Sequence, residues 1–102
     1  MRSPHEIKGV IETRLKNYLS RDRTGVRRAL LQLFLQVKCL TISDIFAILA
    51  RKFSISYHSL AAMVGLIASK IGILHITKSR EGSCSVYSLK EQYAGMVKRI
   101  VS

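Results

Sequence analysis

Residues 25–39 are the segment that most restricts what this chain can fold into. Val26, Leu30, Leu33, Phe34 and Val37 recur at helical spacing and make one apolar face, and Leu31 and Leu35 lie outside that face. Only Arg28, Gln32 and Gln36 form a clean polar stripe. A helix that is apolar over most of its circumference must be covered from more than one side. The segment is therefore expected to be a central helix with other helices packed around it.

The flanking sequence supplies that cover. Ser3-Pro4-His5-Glu6 reads as a helix start, with Ser3 as the cap, Pro4 at the first helical position and Glu6 completing a Ser-x-x-Glu box. Ile7, Val10, Ile11, Leu15 and Tyr18 follow at helical spacing and predict a helix over 4–19. Arg14 falls at the edge of this apolar face, where its stem can pack and its head reach out. Ser20 to Gly25 is a short polar and basic connection.

Beyond the central helix, Leu40-Thr41-Ile42 reads as a short strand. Ser43-Asp44 then caps a helix over 44–53 that carries Ile45, Phe46, Leu49 and Phe53. Ser54-Ile55-Ser56 is a tight connection, and Ser56 caps a helix over 57–71. Leu60, Val64, Ile67 and Ile71 point inward from it, with Met63 beside them. Gly72 closes the helix, since glycine adopts positive φ without strain. Ile73 to Lys78 and Cys84 to Leu89 read as two strands joined by the turn Ser79–Ser83. A last amphipathic helix carries Tyr93, Met96, Val97 and Ile100.

The order is helix, helix, short strand, helix, tight turn, helix, β-hairpin, helix: a mainly α chain with one small hairpin. Local motifs sharpen this. Thr41-Ile42-Ser43-Asp44-Ile45 stands before the first helix of a possible pair, and Ser54-Ile55-Ser56-Tyr57-His58-Ser59-Leu60 before the second. Gly72-Ile73-Leu74 leads into the hairpin, Gly82 lies at its bend, and Tyr87-Ser88-Leu89-Lys90 closes it. As a set, over residues 25–90, these motifs resemble the winged helix-turn-helix superfamily. The chain also resembles a small family from methanogenic archaea. The expected architecture is one domain over 1–102: an N-terminal helix 4–19, a winged-helix core 25–90 and a C-terminal helix 91–102.

The resemblance implies a reading helix, 57–71, docked in the major groove of DNA, with the wing gripping phosphates. Charge points the same way. The chain has 17 Lys and Arg against 6 Asp and Glu, a net charge of +11. A small domain needs only about 2–8 net charges for solubility, so the excess favours a polyanionic partner. The expected contacts are Tyr57, His58 and Ser59 at the start of the helix, Ala62, Ser69 and Lys70 along it, and Lys78 and Arg80 in the wing. Arg27 and Arg28, clustered with Arg21 and Arg23, form either a phosphate clamp beside free helix N–H groups or simply a solvated basic loop.

The reading helix departs from a strong base reader in one respect. Its outward face, His58, Ala62, Gly65 and Ser69, has no Arg, Asn or Gln for a bidentate base contact. Two readings stay open. The small face allows close approach to duplex DNA, with affinity from phosphates and specificity from shape. Alternatively it is a packing face for a protein partner. Double-stranded DNA binding in transcriptional regulation is the preferred function, and a protein-interaction winged helix is the alternative.

Other classes find less support. The acidic residues form no spaced pair for general acid–base work, and no glycine-rich loop or nucleophile elbow is present, so no catalytic residues are expected. Cys39, Cys84, His58 and His75 lack paired ligand spacing, so neither metal nor cofactor is expected. Two cysteines do not make a disulfide scaffold, and both are expected as buried thiols. The chain has no apolar run near the roughly 20 residues of a membrane span and no secretion signal, so a cytoplasmic protein is expected. The apolar faces of the first and last helices exceed what the central helix can cover. A homodimer built largely from these helices is therefore expected as well, the alternative being that both helices fold back onto one protomer.

Overall fold

The computed structural model describes residues 4–78 and 85–101. Five helices and a hairpin follow in order: α1 (Pro4–Ser20), α2 (Val26–Gln36), α3 (Ile42–Leu49), α4 (Tyr57–Leu66), β1 (Leu74–Lys78), β2 (Ser85–Leu89) and α5 (Glu91–Val101). A π-helical turn, Ile67–Ile71, continues α4 to Gly72. This is a winged helix-turn-helix with an additional helix at each end. Ser3, the wing turn with Arg80 and Gly82, and Cys84 lie outside the described residues.

The centre is α2, as its sequence requires. Val26, Leu30, Leu31, Leu33 and Phe34 are all buried, and the helix packs against α3, α5 and β2. They share one core with Leu15, Ile45, Leu60, Val64, Ile67, Ile73 and Val97, each without measurable exposure. Among the described residues no helix is long and apolar enough to cross a membrane.

The end of α2 corrects the expected boundary. The helix stops at Gln36, and Val37 turns into extended geometry with φ −118° and ψ 124°. That turn lets Leu40 form a bridge to Tyr87, with Leu40 N–H donating at 2.9 Å and Tyr87 N–H returning a bond at 2.7 Å. Leu40 is buried as a result, and Cys39 is left exposed as a free thiol, contrary to the expected buried one.

The Leu40–Ile42 strand is likewise reduced to that single bridge. Thr41 caps α3: its hydroxyl accepts from Asp44 N–H at 3.1 Å, and Asp44 Oδ2 accepts from Thr41 N–H at 3.0 Å. This reciprocal pair starts the helix at Ile42, so Asp44 belongs to its first turn and Ser43 is not the cap. The helix ends at Leu49, short of the predicted Phe53, in a turn closed by Phe53 N–H on the Leu49 carbonyl at 2.9 Å.

Gly72 takes φ 82°, and its N–H reaches back to the Ile67 carbonyl at 2.9 Å. The hairpin then pairs antiparallel from Leu74 with Leu89 to Lys78 with Ser85.

The terminal helices find much of their cover within one chain. Ile11, Leu15 and Tyr18 of α1 are buried, and so are Tyr93, Met96, Val97 and Val101 of α5. The two faces do not compete for α2, because α1 packs on α5 and on the π-helical turn. Glu12 and Arg99 join α1 to α5 as an ion pair. Arg28 Nη1 ties α5 to α2 by donating to the Val101 carbonyl at 2.7 Å. One chain thus covers most of both apolar faces, while Ile7 of α1 stays 42% exposed.

Candidate nucleic-acid interface

The start of α4 is built by Ser56. Its hydroxyl accepts from Ser59 N–H at 3.1 Å and donates to the Ser59 hydroxyl at 2.9 Å. This satisfies a helix-end donor and sets where the first turn points. Tyr57, at 48% exposure, lies edge-on to Phe46 of α3, with centroids 5.6 Å apart and planes at 66°. Its hydroxyl is 3.5 Å from that of Ser43. His58 and Ser59 are exposed beside it. A phenol, an imidazole and a hydroxyl thus stand together on one turn whose direction is set by α3.

Further along, Ala62, Leu66, Ser69 and Lys70 are exposed. The outward stripe is the expected one except that Leu66 is more open than Gly65. The Ser69 hydroxyl is occupied, donating to the Gly65 carbonyl at 2.7 Å. Lys70 stands at the far end, where its carbonyl accepts from Arg14 Nη1 at 3.0 Å. The exposed Arg14 side chain thus reaches from α1 to the end of the π-helical turn.

In the wing, His75, Ile76, Thr77 and Lys78 are all exposed, so β1 stands clear of the body beyond Leu74. Lys78 is at its outer end, and Arg80 lies outside the described residues. Sequence reasoning passed over Arg51 and Lys52. Both are exposed on the turn between α3 and α4. The signal was available as two adjacent cations in the connection of the helix pair.

Arg27 and Arg28 are not brought to this surface. Asp22 takes the N–H groups at the start of α2: Oδ1 accepts from Gly25 and Arg27, and Oδ2 from Arg28, each at 3.2 Å. Those backbone donors are therefore not free for a phosphate, and the helix N–H groups are no part of a clamp. Arg27 is half-buried, lies 4.4 Å from the centroid of the Tyr18 ring, and donates from Nη1 to the Tyr18 carbonyl at 2.8 Å. Arg28 is held by the end of α5. Replacing Asp22 with alanine should cost about 1–2 kcal/mol, the typical range for a lost helix cap. Thermal unfolding of D22A followed by circular dichroism measures this, and an unchanged midpoint would mean water replaces the cap without loss.

Burial pushes the Tyr18 phenol up to about 12, with Arg27 opposing and Asp22 reinforcing the shift. The unfolded chain, with its phenol near the usual value of about 10, gives up this proton first. Stability from this group is therefore lost as pH rises from about 10 toward 12. Tyrosinate absorbance against pH should show a late phase that Tyr18→Phe removes.

Comparison with known proteins places the chain. The family model described as Protein of unknown function (DUF2551) matches residues 15–97. The chain belongs to this family. A protein of the archaeon Archaeoglobus fulgidus, described as uncharacterized, is 45% identical over 94 residues, 91% of this chain and 94% of its own. Among solved structures, this DUF2551 chain is similar to wild-type MarR of E. coli in its apo form, with TM-score 0.63 and 18% identity over 94% of this chain and 69% of that one. It is also similar to a cysteine-to-serine mutant of MarR complexed with operator DNA, with TM-score 0.62 and 19% identity over 94% of this chain and 66% of that one. At such identities the likeness establishes the fold, a winged helix-turn-helix, in agreement with the sequence motifs.

Proposed function

We propose that this protein is a cytoplasmic regulator that binds double-stranded DNA, acting by binding and not by catalysis. The observation that carries the reading is the surface made by α4 and its neighbours. Tyr57, His58 and Ser59 are exposed on one fixed turn, Arg51 and Lys52 are exposed in the connection that leads into it, and Lys78 is exposed at the end of β1. The fold is also that of a MarR captured with operator DNA, which supports the same reading. Base contacts come from the first turn of α4, and Ala62 lets the helix approach the groove closely. Cations of the turn and wing hold phosphates, which position the protein without reading sequence.

Fluorescence anisotropy with labelled duplexes tests this. Lys78→Ala combined with Arg80→Ala should weaken all duplexes alike, and His58→Ala should change the preference among sequences. Micromolar protein that binds no duplex at low salt removes the reading. A homodimer would set two α4 helices on adjacent half-sites. Light scattering reads it directly: a monomer mass with and without duplex rejects that part of the proposal.

A second reading has its own observation. Leu66 is 37% exposed in the middle of the α4 face, beside the small residues Ala62 and Gly65. An apolar side chain there suits a partner helix better than a DNA groove. Absence of duplex binding together with tight self- or partner association would favour it.

A further inference from the structure

On the flank of the molecule, α1, the start of α2 and the π-helical turn enclose an open cleft of about 610 Å³. Among the described residues four cations line it, Arg14, Arg21, Arg27 and Lys70, and no acidic residue does. Two of the guanidiniums are already fixed in place: Arg14 by the Lys70 carbonyl at 3.0 Å, and Arg27 by the Tyr18 carbonyl at 2.8 Å and the Tyr18 ring. Each uses one nitrogen for that purpose. A guanidinium has five N–H donors, so each retains donors for something else.

A second, independent feature lies in the same cleft. Tyr18 also lines it, is only 8% exposed, and its buried hydroxyl has no hydrogen-bond partner. A buried polar group left unpaired is costly and calls for an explanation, a bound water or ion among them. Asp22, the nearby acid, is taken up by the N–H groups of α2 and does not line the cleft. Leu66 and Ile71 give the cleft an apolar wall. The π-helical turn contributes both Lys70 and Ile71, and such turns recur at functional sites.

We propose that this cleft binds a small phosphate-bearing anion, its phosphate oxygens held by Arg14, Arg21, Arg27 and Lys70 and its body resting on Leu66 and Ile71. Several cations without a counter-acid match a multiply charged group better than a single carboxylate. Forked N–H donors suit phosphate oxygens. The site is separate from the first turn of α4, so it does not depend on duplex binding. It does join α1 and α2 to the end of α4, and an occupant would bias how α4 sits.

Isothermal titration calorimetry of the full chain with inorganic pyrophosphate, at physiological salt and without DNA, tests the proposal. Saturable binding is expected. Arg21→Ala with Lys70→Ala should weaken it at least about tenfold, as expected for lost charge-assisted bonds. Tyr18→Phe, which removes only an unpaired hydroxyl, should weaken it by a smaller factor and leave the fold intact. Lys8→Ala with Lys38→Ala removes the same charge away from the cleft and should change affinity less than twofold. No saturable binding overturns the proposal, and so does equal weakening by the two double variants, which would mean an adventitious ion only. If Tyr18→Phe weakens duplex DNA as much as it weakens pyrophosphate, the cleft seats a DNA phosphate and the small-molecule proposal fails. Duplex binding can succeed or fail in the same proteins without deciding this result.

Discussion

Phe34→Ala should destabilise the fold by about 3–5 kcal/mol, the usual cost of removing a buried phenylalanine. Phe34 is 3% exposed and lies on the helix that α3, α5 and β2 pack against. Two effects add. The lost ring no longer transfers its apolar area out of water, and the space it leaves is bordered by elements that cannot all close in. α2 is held at one end by the Asp22 cap and along its length by α3, α5 and β2. A helix pinned in this way relaxes little, which puts the expected loss in the upper part of the range. Net stabilities of small domains are about 5–15 kcal/mol, so the variant should be near the limit of folding. Urea or thermal melts of F34A beside Gln36→Ala, an exposed position on the same helix, separate core loss from helix propensity. Equal midpoints for F34A and the parent would mean that α2 is not the central helix.

Much of the architecture can be read from local sequence, because local groups determine it. The all-round apolar character of α2, the Ser56 cap, Gly72 at positive φ and the hairpin strands each follow from neighbouring residues. The errors occur where distant residues decide. Leu40 forms a bridge instead of a strand because its partner, Tyr87, lies far along the chain. The boundary at Gln36 has no glycine or proline to announce it; the bridge at Leu40, four residues later, fixes it. Thr41 is the instructive exception, since Thr41-Ile42-Ser43-Asp44 carries a capping pair that the β-branched residues disguised.

The site divides in the same way. Tyr57, His58, Ser59 and Ala62 are exposed together because one helical period places them, and sequence spacing is enough to see it. Arg27 and Arg28 look like part of a basic loop, yet their partners are the Tyr18 carbonyl and the Val101 carbonyl. The second of these is 73 residues away, and no local pattern reveals it. The cover of α1 has a related origin: it packs on α5 and the turn after α4 rather than on α2, a pairing no local pattern announces.

Affinity for duplex DNA should fall roughly a hundredfold when salt is raised from about 50 to 200 mM, if about four phosphates are neutralised. The number follows from counterion release: each neutralised phosphate contributes a slope of about −0.9 in log affinity against log salt. Arg51, Lys52 and Lys78 are exposed, and together with Arg80 of the proposed wing contact they supply about that many contacts. The net charge of +11 alone does not give this slope, because cations remote from DNA displace no condensed ions. Arg23, Lys38 and Lys8 are exposed too, but on other elements. Arg51→Ala with Lys52→Ala should therefore reduce the slope by about two, and Lys8→Ala with Lys38→Ala should leave it nearly unchanged. Anisotropy titrations on one random duplex at four or more salt concentrations measure both slopes. A common slope for the two double variants would show that total charge, and not the α3–α4 surface, attracts the DNA. A flat salt dependence in the parent protein would reject phosphate-driven binding and leave the Leu66 face of α4 as the better account of the fold.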